Sequence, residues 1–184
     1  MNRFVILAAA AALLAPSALG QKQGATNNNA PEIEQAIDLG STGRVELTYT
    51  GITWAGGRWA KSLEDESRRD RLRARINGGA KSAPLGYFST GNDVTVGGVR
   101  VNEGDYKLGF TLDDDFKWQI TLFGTDAEID IPLALMKVGE EEESKRLICT
   151  LYAGDEDFTG GIYIAFGDQM GSLDIKAAPT REEG

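Results

Sequence analysis

Apolar and polar residues alternate with a period of two along most of the chain. Val45, Leu47 and Tyr49 alternate with Arg44, Glu46, Thr48 and Thr50. Tyr106, Leu108, Phe110 and Leu112 alternate with Lys107, Gly109 and Thr111. Phe116, Trp118, Ile120 and Leu122 do so with Lys117, Gln119 and Thr121. Ile162, Ile164 and Phe166 share one face of a further run, and Leu173 and Ile175 one face of another. Successive strand side chains point to opposite faces, so each run is a strand with one face to a core and one to water. Val94-Thr95-Val96 and Val99-Arg100-Val101 flank Gly97-Gly98, a hairpin signal, because a two-residue primed turn needs positive φ. Asp113-Asp114-Asp115 marks the next turn, and Asp155-Glu156-Asp157 and the acidic run 140–143 mark further loops. The pattern predicts an all-β fold, an antiparallel β-sandwich of about nine strands.

Residues 62–77 read two ways. Ser62-Leu63-Glu64-Asp65 resembles a capping box, and arginines follow the acids, which favours a helix start. Yet Arg71-Leu72-Arg73-Ala74-Arg75-Ile76 alternates as a strand would, and Leu63 and Leu72 fall on opposite sides of a helix. The expectation is at most one short helix near 62–70, giving way to an extended segment that ends at Asn77-Gly78-Gly79.

The ends of the chain differ from this core. Met1-Asn2-Arg3 is a positive start, residues 4–14 are apolar, and small residues follow to Gly20. This is the three-part pattern of a secretory signal peptide cleaved after Gly20. The apolar run is too short for a membrane span, which needs ~20 residues. Residues 21–37 are polar and read as a disordered leader. The β-sandwich domain then covers 38–176, and 177–184 form a flexible tail. The expected localisation is exported, periplasmic or extracellular.

Composition removes several chemistries. The chain has 184 residues, no histidine and one cysteine, Cys149. Ser-His-Asp and Cys-His catalysis, internal disulfides and His- or Cys-rich zinc sites are therefore excluded. The net charge of −9 makes nucleic acid a poor partner, because phosphate contacts need basic surface. Cys149 shares a face with Leu147 and Leu151 and should be a buried, inert thiol.

The hairpin residues carry a resemblance. Asp93-Val94-Thr95-Val96-Gly97-Gly98-Val99, then Gly104-x-Tyr106-x-Leu108-x-Phe110 and Trp118-x-Ile120, resemble the hallmark of an exported bacterial domain-of-unknown-function family, number 2911. Gly43-Arg44-Val45-x-Leu47-x-Tyr49 is similar to that family's first strand, and Gly57-Arg58 follows it at a matching distance. Of the family's Trp-Arg-Thr-Gly-Ala-Asn motif, only Arg73 and Asn77 have counterparts here. The resemblance implies an exported all-β domain and brings no activity, cofactor or ligand with it.

Charge is segregated along the sequence. Residues 58–81 carry 8 positive and 4 negative side chains, whereas 82–184 carry 8 and 20. Arg71, Arg73, Arg75 and Asn77 are thus candidates for holding an anionic ligand or acidic partner, and internal pairing with the acidic remainder is the competing reading. Trp54, Trp59 and Tyr87 lie near glycine-rich joints and are candidates for stacking on sugars, or for plugging the core. The acidic loops give a weaker Ca²⁺ reading, since none matches a known calcium-loop pattern. No pattern assigns catalytic residues, a cofactor or a metal. The leading expectation is an exported, non-catalytic domain that binds an envelope component or protein partner. The alternative is a carbohydrate-binding or carbohydrate-hydrolysing domain using Trp54, Trp59 and loop acids.

Overall fold

The computed structural model of the chain describes residues 30–40, 43–54 and 62–177. Twelve strands fall among them, all paired antiparallel. One sheet runs β1 (Glu32–Asp38), β2 (Arg44–Thr50), β3 (Gly86–Thr90), β6 (Gly104–Leu112), β7 (Trp118–Phe123), β8 (Glu128–Pro132). The other runs β10 (Ser144–Ala153), β11 (Thr159–Gly167), β12 (Gln169–Ala177), β4 (Val94–Val96), β5 (Val99–Val101), with β9 (Met136–Lys137) also paired to β12. The fold is all-β and sandwich-like, as the alternation predicts. Val45, Leu47, Phe88, Leu108, Leu122 and Ile131 of the first sheet meet Val94, Val96, Leu147, Cys149, Ile162, Ile164 and Ile175 of the second. Burying each large apolar side chain in such a core contributes about 1.5–3 kcal/mol. Gly97 and Gly98, at φ 55° and 83°, make the turn between β4 and β5, which is the geometry a primed turn requires.

One side of the sandwich is sealed by hydrogen bonds. Residues 52–54 continue past β2 and lie against β10: Leu147 N–H donates to Ile52 O at 2.9 Å and Trp54 N–H to Lys145 O at 3.0 Å. Further along β10, the Gln35 side chain bridges the gap. Its Nε2 donates to Cys149 O at 2.7 Å, and its Oε1 accepts from Leu151 N–H at 2.9 Å.

Three local expectations change. Residues 32–37, read as part of a disordered leader, form most of β1. Ile33 and Ile37 pack on the core, and the inward position between them is Gln35, whose polarity broke the alternation. The segment from 71 to 77 is not extended: an α-helix, α1, spans Glu66–Ser82. Its N-terminus is capped by Asp65, which accepts from Ser67 N–H. Phe116 is not in a strand. It sits in the β6–β7 turn at φ 62°, and Trp118, expected in the core, is only half-buried.

The helix lies on the outer face of the first sheet, chiefly over β6. Ala80 packs so closely on Gly109 that a Cβ at Gly109 would come within 2.8 Å of it. Beneath the helix layer, Thr111 and Thr121 are buried and hydrogen-bonded to each other, and Thr121 Oγ1 also donates to Asp130.

Candidate functional site

The six positions of α1 that turn toward the sheet are Arg69, Leu72, Arg73, Ile76, Asn77 and Ala80. They recur at helical spacing and are all buried or half-buried. Arg69 and Arg73 lie over the Phe116 ring, with guanidinium carbons 4.7 and 5.2 Å from its centroid. Arg73 Nη1 also donates to the Asp114 carboxylate at 2.7 Å and to Asp113 O at 3.3 Å. Asn77 makes a paired contact with one residue of β6: its Nδ2 donates to Leu112 O and its Oδ1 accepts from Leu112 N–H, both at 2.9 Å. Two of the four residues singled out on this segment, Arg73 and Asn77, thus dock the helix. For Arg73, pairing with the acidic remainder is what the structure shows.

The β6–β7 turn is built to receive them. Asp113 N–H donates to Lys117 O, and the Asp113 carboxylate accepts from the N–H groups of Asp115 and Lys117 at 2.9 and 2.8 Å. This turn places Phe116 in the left-handed region, where a bulky residue is an outlier. Residue type alone favours glycine there; Phe gives the two arginines a ring to lie on. Period-two alternation hid this residue by assigning it to a strand.

The opposite face of α1 carries Arg68, Arg71, Arg75, Gly78 and Ser82, all exposed. Arg68 reaches back to Asp65 at 3.1 Å with its side chain 77% exposed, a pair that water screens heavily. The helix as a whole has six cationic and two anionic side chains. At 1.5 Å rise per residue, Arg68 to Arg75 spans about 10 Å of surface.

The aromatic candidates separate. Tyr87 stands 56% exposed on the outer face of β3, opposite Thr48 and Lys107, on the same sheet face as α1. Trp54 is at the second sheet, half-buried, edge-on to Phe166 with ring centroids 4.9 Å apart and planes at 79°. Its ring covers Gly167 so tightly that a Cβ there would collide with it. Trp59 and Gly57-Arg58 lie outside the described residues, as do the cleavage position after Gly20 and the tail beyond 177. Among the described residues, no three His, Cys, Asp or Glu side chains converge as metal ligands would. No described helix is long and apolar enough to cross a membrane.

Cys149 is 2% exposed, on the inner face of β10. Burial pushes its thiol up to about 12 from an ordinary 9.0. The folded thiol therefore stays neutral where the unfolded one ionises. Its contribution to stability is complete below pH 9.0 and is lost as pH rises through about 12. At pH 8 a thiol reagent should label Cys149 only at the rate of global unfolding; fast stoichiometric labelling of the native protein would contradict this burial.

No family model, curated protein or solved structure matches this chain.

Proposed function

We propose that the chain is an exported, non-catalytic binding domain that captures an anionic component of the cell envelope through the outward face of α1. The observation that supports this is the division of the helix into two faces. Arg69, Arg73 and Asn77 hold it on the sheet, while Arg68, Arg71 and Arg75 lie on its exposed face, on a chain whose net charge is −9. A fixed helix presents those guanidinium groups at set spacing, and each forks to two oxygens of a phosphate, sulfate or carboxylate. Tyr87 is exposed on the same sheet face as the helix. The N-terminal signal-peptide pattern supports export. The resemblance to the exported family agrees with it. Carbohydrate binding through Trp54 draws less from the geometry, because that ring packs on Phe166 and Gly167.

The test is retention of residues 21–184 on an immobilised sulfated polyanion across a salt gradient. The Arg71→Ala/Arg75→Ala variant should bind about tenfold more weakly at low salt, with a shallower salt dependence. Its melting temperature should stay close to the parent's, since both side chains lie on the exposed face of α1, where polar contacts contribute little. Unchanged retention would remove the cationic face as a binding surface.

A further inference from the structure

We infer that a depression on the outer face of the second sheet, beside Tyr152, is a binding site for a neutral saccharide. It has a volume of about 270 Å³ and is lined by Tyr152, Asp155, Glu156, Thr159, Asp174 and Lys176, with Gly154 and Gly160 in its walls. That is just below the usual range for small-molecule pockets.

Strand register explains how these groups meet. Tyr152, Gly161 and Asp174 stand directly opposite one another across β10, β11 and β12, so all three belong to one face. Gly161 offers no side chain, and the hydroxyl end of the Tyr152 ring lies over it, where a Cβ would fall 2.3 Å from Cζ and Oη. The ring is thereby held down on the sheet while Tyr152 remains 39% exposed. Thr159 faces Lys176 one row further along. The β10–β11 connection forms the remaining wall and is tied in place: Gly154 N–H donates to Thr159 O at 3.0 Å, and Thr159 Oγ1 to Glu156 O at 2.6 Å. The backbone wall of the site is thus held in place before a ligand arrives.

The chemistry of the lining selects the ligand class. Three carboxylates, Asp155, Glu156 and Asp174, oppose an anion. Lys176, within the same lining, offsets one of those charges and adds a hydrogen-bond donor. A neutral polyol satisfies both, because its hydroxyls donate to carboxylates and accept from an ammonium. Its C–H face packs on the tyrosine ring, which carries an apolar body and a polar tip. This site is on the other sheet from α1 and does not depend on the cationic face.

The experiment follows backbone amide shifts of residues 21–184 on titration with cellobiose, N,N′-diacetylchitobiose and, as a cationic control, tetramethylammonium. Shifts confined to Gly154, Gly160, Gly161 and their neighbours are expected with a neutral disaccharide, unaffected by moderate salt. Tyr152→Ala should weaken that binding about tenfold or more, Tyr152→Phe should retain most of it, and Asp174→Asn should weaken it without disturbing the fold. Should Tyr152→Ala unfold the domain, the Phe and Asn variants still decide the matter. No shift with either disaccharide, or shifts here with tetramethylammonium alone, would overturn the assignment. The Arg71→Ala/Arg75→Ala variant should bind the disaccharide as the parent does, so this site and the α1 face stand or fall separately.

Discussion

Gly86→Ala should destabilise the domain by about 3 kcal/mol or more, lowering its melting temperature by roughly 6–12 °C. A Cβ at this position would fall 1.9 Å from Thr48 O and within 3 Å of Tyr49 Cα and Thr48 C. All three are backbone atoms of β2, so no side chain can rotate away. Relief requires β2 and β3 to separate, and those strands carry Leu47 and Phe88 into the core. The same substitution at Gly78 should do the reverse. Gly78 is an exposed position inside α1 with nothing within 4 Å of a would-be Cβ. Alanine there should stabilise by about 0.5–1 kcal/mol, since glycine loses more backbone entropy on entering a helix. Thermal melts of the two variants decide the matter: if Gly86→Ala melts with the parent, the close approach of β3 to β2 is not as described.

Asn77→Ala should cost about 2–4 kcal/mol, the penalty of leaving a buried N–H and a buried C=O of Leu112 without partners. The reason is in the strand pairing. β3 begins at Gly86, which pairs with Leu108, so β6 runs four residues past its partner. There the Asn77 amide takes the place of the missing strand, offering one donor and one acceptor to Leu112. Ala removes both. Asp keeps the acceptor but sets a second oxygen against Leu112 O, so Asn77→Asp should also be destabilised. Hydrogen exchange gives a local readout: the Leu112 amide should lose protection in both variants. Unchanged exchange at Leu112, together with an unchanged melting temperature, would show that Asn77 does not dock the helix. Binding through Arg71 and Arg75 should fall in parallel with docking, because a loosened helix no longer holds the guanidinium groups at fixed spacing.

The two positions illustrate what can be read from residues in order. Alternation locates β2, β6, β10, β11 and β12 because one face of each is nearly all apolar. It also places Cys149 correctly between Leu147 and Leu151, and by the same parity turns Tyr152 outward. It fails on β1, where the inward position at 35 is a glutamine that hydrogen-bonds another strand. It fails again on α1, where three of the six buried-face residues are Arg69, Arg73 and Asn77. Their polarity hid the stripe, although their stems and amide make the contacts an apolar stripe would make. Of the residues singled out for binding, Arg71 and Arg75 face water and Arg73 and Asn77 face the sheet. Period-two alternation cannot divide them, because it puts 71, 73, 75 and 77 on one face.

From the sequence alone came the all-β class, the Gly97-Gly98 turn, the buried thiol and the separation of positive from negative charge. Each rests on residue type and nearest-neighbour spacing, and these act over a few positions of chain. Tertiary structure decided which way the arginine segment folds, because an aromatic ring at 116 and a bare strand end at 112 lie some forty residues away. It also decided that Tyr152 and Asp174 share one depression, because only the register of β10, β11 and β12 brings them to either side of Gly161.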